Sequence, residues 1–176
     1  MDEVEISVSP KKGNLHDLNN WRGTNLLGVV SKVVSIMLNV RSQKLLKKNG
    51  HPMQLAATPK AGCAEAVFSL KKMLQSRREN GVDSCAIFIN LMKAYDSTNH
   101  EIISLASKKM GAPDECVKWV ETLCGDFEVV LNIGREEISF KHDCGVRKGV
   151  NLAPTLFTMS MQLVPEDMLD KLKKKK

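Results

Sequence analysis

Two polar side chains at the edge of an apolar run are the first place to look for chemistry. The run is Cys85-Ala86-Ile87-Phe88-Ile89-Asn90-Leu91, and six positions beyond Asn90 stands an acid, Asp96. Its β-branched and aromatic members predict a short buried strand, and α/β enzymes commonly place their reacting groups where such strands end. Asn90 offers a neutral amide there, a much poorer magnesium ligand than a carboxylate. Asp96, taken by itself, reads as a cap or hydrogen-bond anchor for the turn into the next helix.

Other chemistries find less support. The five cysteines, Cys63, Cys85, Cys116, Cys124 and Cys144, are odd in number and lack C-x-x-C spacing. Neither a zinc site nor a disulfide framework is indicated. Cys63 and Cys85 lie in apolar stretches and are expected to be buried thiols in a reducing compartment. The four histidines have no partner at motif spacing, so a serine, cysteine or histidine hydrolase is unsupported.

At 176 residues, 43% hydrophobic and 26% charged, the chain is one domain or a large piece of one, with length for a real core. The formal net charge is +6, with basic pairs at Lys11-Lys12, Lys47-Lys48, Lys71-Lys72, Arg77-Arg78 and Lys108-Lys109. Such an excess suits a polyanion such as nucleic acid, although solvated helix faces produce the same clusters. The N-terminus has no apolar signal core and the longest apolar run is too short to span a bilayer. An intracellular protein with no membrane segment is the expectation.

The elements that must position these residues follow from periodicity and punctuation. Ile6 and Val8 predict a short strand running into a basic turn, and residues 17–23 read as a loop with Trp21 beside Arg22. Leu26, Val29, Val30, Val33, Met37 and Val40 recur at helical spacing, up to a stop at Asn49-Gly50. Cys63, Ala66, Val67, Leu70, Met73 and Leu74 mark a second amphipathic helix, ended at Asn80-Gly81. After the strand, Asn99 caps a helix reaching Met110, with Ile102, Ile103, Ala106 and Met110 inward, and Pro113-Asp114 opens another through Val117, Val120 and Leu123. Phe127 to Ile133 and Glu137 to His142 form a hairpin turned at Gly134-Arg135. A glycine-bearing loop, Asp143 to Asn151, leads to a last helix opened by Pro154. The class is α+β.

Three stretches together resemble the reverse transcriptase domain of non-LTR retrotransposons. Pro10-Lys11-Lys12-Gly13-Asn14 followed by Asn20-Trp21-Arg22-Gly23-Thr24-Asn25-Leu26-Leu27 is similar to the family's fingers segment, P-K-K-G then N-W-R-G-I-x-L-L. Phe88-Ile89-Asn90-Leu91-Met92-Lys93-Ala94-Tyr95-Asp96 resembles the palm strand F-I-D-L-x-K-A-F-D. Gly145-Val146-Arg147-Lys148-Gly149-Val150-Asn151-Leu152-Ala153-Pro154-Thr155-Leu156-Phe157 resembles G-V-R-Q-G-x-x-L-S-P-x-L-F. Their order and spacing run through nearly the whole chain. The resemblance implies incomplete fingers and palm, with helices on a small, largely antiparallel sheet and the thumb absent. Residues 1–176 would be a partial domain, about 1–80 fingers-like and about 81–170 partial palm.

The activity implied is RNA-directed DNA polymerisation. Nucleotidyl transfer uses carboxylates holding two magnesium ions, and the resemblance puts Asn90 where the family has a metal-binding aspartate. Asp96 matches a further motif position. Lys11 or Lys12 and Arg22 match residues that meet the incoming triphosphate, a task suited to arginine's planar fork. Arg147, Lys148, Gly149 and Pro154 fall in the loop that follows the template and the incoming nucleotide. The cofactor implied is Mg2+; the partners implied are an RNA template, an RNA–DNA hybrid and a dNTP.

The departures fall on the chemistry. Asn90 replaces the aspartate, Lys148 replaces the loop glutamine, and Gln54-Leu55-Ala56-Ala57 stands for Q-x-G-F. No Tyr-x-Asp-Asp occurs, and Glu166-Asp167 in a helical segment is no substitute. The expectation is a truncated fragment that is catalytically inactive alone. Two alternatives stand beside it: a non-catalytic RNA- or DNA-binding module, and a decayed retroelement product without a selected function.

Overall fold

The computed structural model describes residues 4–58, 62–125 and 127–173. Strands β1 (Val4–Pro10) and β2 (Trp21–Leu26) precede helices α1 (Val29–Asn49), α2 (Cys63–Glu79), α3 (His100–Lys109) and α4 (Asp114–Cys124). Strands β3 (Phe127–Ile133) and β4 (Glu136–His142) follow, then α5 (Ala153–Lys173). The described strands form one mixed sheet in the order β2-β1-β3-β4. Its two hairpins, β1–β2 and β3–β4, are antiparallel and meet through a short parallel pairing of Val4 with Val129 and Glu5 with Val130. The class is α+β, as the residue pattern predicts.

The core sits among α1, α3, α4 and α5. Ile103 and Ala106 of α3 and Met110 just after it meet Val120 and Cys124 of α4, with Leu152 just before α5 and Leu156 and Met159 within it. The Val, Leu, Ile and Met side chains buried this completely contribute about 1.5–3 kcal/mol each. A smaller cluster of Val4, Phe127 and Val129 packs on the sheet with Ile6 against it. Polar contacts tie the helices together. Thr155 Oγ1 donates to Asn39 Oδ1 at 2.7 Å, Asn49 Nδ2 to the Met110 carbonyl at 2.8 Å, and the His51 N–H to Gln162 Oε1 at 2.9 Å.

The boundaries of α2, α3, α4, α5 and the β3–β4 hairpin agree with the expected ones. Asn99 caps α3 by accepting from the Glu101 N–H. Ile103, Ala106, Met110, Val117 and Val120 are buried; Ile102 is exposed.

Four expectations are overturned. First, Cys85–Leu91 is not a buried strand. It has no regular secondary structure, pairs with no described strand, and Ile87, Phe88 and Ile89 are 81%, 84% and 80% exposed. Apolar content gives a strand only where a neighbouring ladder satisfies its backbone, and here the described strands pair among themselves. Second, Trp21–Leu26 is a strand rather than a loop running into a helix, held by antiparallel pairing with β1. It lacks the apolar alternation that would reveal it.

Third, the apolar face of α1 points outward. Ser35, Leu38, Ser42 and Leu46 are buried, whereas Val29, Val30, Val33, Met37 and Val40 are exposed. Small hydroxyl-bearing residues allow close approach of α4 and α5, and Ser35 Oγ satisfies itself on the Lys32 carbonyl at 2.7 Å. Fourth, Cys63 and Cys85 are exposed, because α2 buries no residue and the segment after it is unpaired. No helix among the described residues is long and apolar enough to cross a membrane.

Candidate functional site

The best-built local structure is the turn at residues 93–98 with the glycine-bearing loop clamped onto it. Lys93 takes a positive φ of 49°, and its carbonyl accepts from the Asp96 N–H at 2.8 Å and the Ser97 N–H at 3.1 Å. Thr98 Oγ1 donates to the Ala94 carbonyl at 2.8 Å. The loop then docks through backbone bonds. The Gly145 N–H donates to the Thr98 carbonyl and the Val146 N–H to the Tyr95 carbonyl, both at 2.7 Å. His100 Nε2 lies 2.9 Å from the Gly145 carbonyl, and the Tyr95 and Phe157 rings meet at 5.1 Å.

Gly145 is required by this clamp. Its φ is +92°, and a Cβ there would lie 2.7 Å from the Tyr95 carbonyl oxygen and 2.8 Å from the Asp96 Cα. At the other end of the loop, the Asn25 N–H on β2 donates to the Lys148 carbonyl at 3.0 Å. Gly149, at φ +96°, lets the backbones of the loop and β2 come within contact. Two motif stretches far apart in sequence are therefore bolted to a third.

Between them lies a cleft of about 600 Å³. It is lined by Lys11 and Arg22 from the β1–β2 hairpin, Lys93 and Asp96 from the turn, and Lys148 and Pro154 from the loop and the start of α5. Of the residues singled out in the sequence, the structure thus brings together Lys11, Arg22, Asp96, Lys148, Gly149 and Pro154. Lys12 is exposed and does not line the cleft. Asn90 is exposed on the unpaired segment and does not line it either. Arg147 turns the other way, its guanidinium 3.9 Å from the centroid of the Phe127 ring. Lys93, Thr24 and Tyr95 line the cleft without having been singled out. Lys93 and Tyr95 stand inside the palm motif, which was the available signal.

Asp96 is not a helix cap or turn anchor. Its Oδ2 lies 2.7 Å from Lys148 Nζ in an ion pair whose side chains are 39% and 32% exposed. Lys148 therefore does more than add charge to the loop: it neutralises the carboxylate of the cleft. Asp143 opens onto an adjoining pocket of about 270 Å³ that also reaches Asp96 and Lys148.

These donors do not fit a magnesium site. Mg2+ prefers octahedral oxygen coordination built on one or two free carboxylates. The cleft's single carboxylate already holds an ammonium, and the position matching the family's aspartate is an exposed amide. Among the described residues no group of three or more His, Cys, Asp or Glu could hold a metal ion. The described cleft is instead cationic, with Lys11, Arg22, Lys93 and Lys148 against Asp96. A cavity of that sign attracts phosphate.

The family model for reverse transcriptase (RNA-dependent DNA polymerase) matches residues 9–175. The transposon TX1 uncharacterized 149 kDa protein of Xenopus laevis is 24% identical over 160 residues, covering 89% of this chain and 12% of that protein. The retrovirus-related Pol polyprotein from type-1 retrotransposable element R2 of Popillia japonica is 23% identical over 158 residues, covering 88% of this chain and 22% of that polyprotein. The chain spans less than a quarter of either relative's length.

Proposed function

Because the chain belongs to the reverse transcriptase (RNA-dependent DNA polymerase) family, we propose that it forms fingers and partial palm of a non-LTR-type enzyme. Its role is to present a cationic cleft to the triphosphate of a dNTP and to the phosphates of an RNA template or RNA–DNA hybrid. In this reading residues 1–80 are fingers-like and residues 81–170 belong to the palm. Lys11 and Arg22 meet the triphosphate from one wall, and Lys148, Gly149 and Pro154 approach it from the other. Asn90 stands at the metal-binding position without the charge to serve it.

The observation that carries this reading is the cleft itself. Three family motifs, separated in sequence, line one cavity with an excess of cations. The same cavity argues that these 176 residues by themselves do not perform nucleotidyl transfer, since the reaction needs carboxylate clusters for two metals. The test is a primer-extension assay on an RNA template with magnesium or manganese, beside a hybrid-binding titration. No extension is expected, and Asn90→Asp alone should not restore it. Log affinity for the hybrid should fall roughly one unit per log unit of salt for each phosphate neutralised. Templated extension by the unaltered chain overturns the non-catalytic part; salt-independent binding overturns the phosphate-facing part.

A further inference from the structure

We propose that the cleft binds the polyphosphate chain of a nucleotide without a divalent metal, because Lys148 is a built-in cation already seated on the cleft's one carboxylate, Asp96. This rests on the triphosphate-facing reading above and changes its chemistry. A phosphate near a carboxylate needs a cation between them. In this cleft that cation is covalently part of the chain, with Lys148 Nζ 2.7 Å from Asp96 Oδ2.

The backbone fixes Lys148 in that role. Its carbonyl accepts from the Asn25 N–H at 3.0 Å, and the loop before it is pinned by Gly145 and Val146 to the residues flanking Asp96. Its ammonium therefore starts from a defined anchor beside the carboxylate. The pair is also easily shared. Both side chains are about a third exposed, so solvent screens the pair. A phosphate carries more negative charge and more acceptor oxygens than one carboxylate, so it competes with Asp96 for Lys148. Lys11, Arg22 and Lys93 line the same cavity and supply further donors. Lys11 Nζ donates one hydrogen to the Asn19 carbonyl at 3.0 Å, which holds the ammonium while leaving it two others.

A magnesium ion gains little here. To reach Asp96 it must displace Lys148, and it then sits among the remaining cations. When the ion travels with the nucleotide it also cancels charge that the cleft's own cations would meet. Magnesium should therefore leave nucleotide affinity unchanged or weaken it.

The experiment is a calorimetric titration of the full chain with dATP, and separately with inorganic tripolyphosphate, in EDTA and in millimolar magnesium. Binding of dATP in EDTA at least as tight as in magnesium is expected. Lys148→Gln should weaken binding in EDTA about tenfold, the size of one lost charge-assisted contact, and should make magnesium favourable by freeing Asp96. Asp96→Asn should tighten binding in EDTA, which keeps the idea testable should the first variant fold poorly. Binding that appears only with magnesium overturns the metal-free inference and leaves the triphosphate-facing reading intact. No binding of dATP in either condition overturns both. Equal affinity for tripolyphosphate locates recognition in the phosphates alone; binding of dATP but not tripolyphosphate in EDTA overturns the polyphosphate assignment.

Discussion

The loop at residues 145–149 and the segment Cys85–Leu91 each carry part of a family motif, yet the fold treats them in opposite ways. The loop is fastened at both ends by backbone hydrogen bonds, packed on the turn that bears Asp96, and closed over it through glycines that a Cβ would clash with. Cys85–Leu91 is irregular and exposed, pairs with no described strand, and follows a helix that buries nothing. A motif identifies what a stretch is for. Whether the stretch is ordered depends on partners for its backbone and apolar side chains, and those are a property of the surroundings.

The largest effect that should separate the two regions is a single methyl group. Gly145→Ala places a Cβ against the Tyr95 carbonyl and Asp96 Cα at a φ of +92°, and should cost about 2–4 kcal/mol in stability. Gly81→Ala, at the end of α2, has φ +65° but nothing within 4 Å, so only the backbone preference is lost, about 1 kcal/mol. Urea midpoints of the two variants measure the difference. Equal losses would mean the clamp is no tighter than the region around α2.

Much of this was legible in the residues. Helix ends written by Asn99, Pro113 and Asn80-Gly81 fall where capping chemistry puts them, and Gly134-Arg135 turns the hairpin between β3 and β4. These signals are local: each depends on a few neighbouring dihedrals and hydrogen bonds. What could not be read is which side of an element is covered. Val29, Val30 and Val33 make the more apolar face of α1, but the structure buries Ser35, Leu38, Ser42 and Leu46. Likewise β2 owes its strand conformation to β1 and not to its own composition. In the cleft, the motifs identified Lys11, Arg22 and Lys148. The ion pair between Lys148 and Asp96 spans 52 residues, and no spacing rule reaches that far.

Thiol labelling gives a smaller but more direct separation. Cys63 and Cys85 are exposed; Cys124 is buried between α4 and α5, and burial pushes its thiol from 9.0 to about 11, partly opposed by Arg147. That change alone leaves about a hundredfold less thiolate at neutral pH, before access is considered. Cys63 and Cys85 should react with a maleimide in the native protein, and Cys124 only after urea is added. Protection of Cys85 equal to that of Cys124 would break the comparison, because it requires Cys85–Leu91 to be covered in solution.

The smallest effect concerns how firmly the ordered region is held at its sheet edge. His142 ends β4 with its ring stacked on Phe127 at 4.7 Å, and Arg147 also lies over Phe127. Burial lowers its affinity for a proton below the ordinary value of 6.5, and electrostatic interactions with His100 and Arg147 lower it further. Asp96 and Asp143 oppose the shift without overcoming it. The folded protein thus binds this proton less readily than the unfolded chain does. Unfolding takes up a proton once the pH drops below 6.5, so stability should decline from there down to the lowered folded value, and His142 should have no effect on its pH dependence above 6.5. His142→Phe keeps a ring on Phe127 while removing the titration, and should flatten the decline in that window. Chemical denaturation of both proteins at several acidic pH values makes the comparison. An unchanged slope would mean that the His142 ring is not buried against Phe127 in solution.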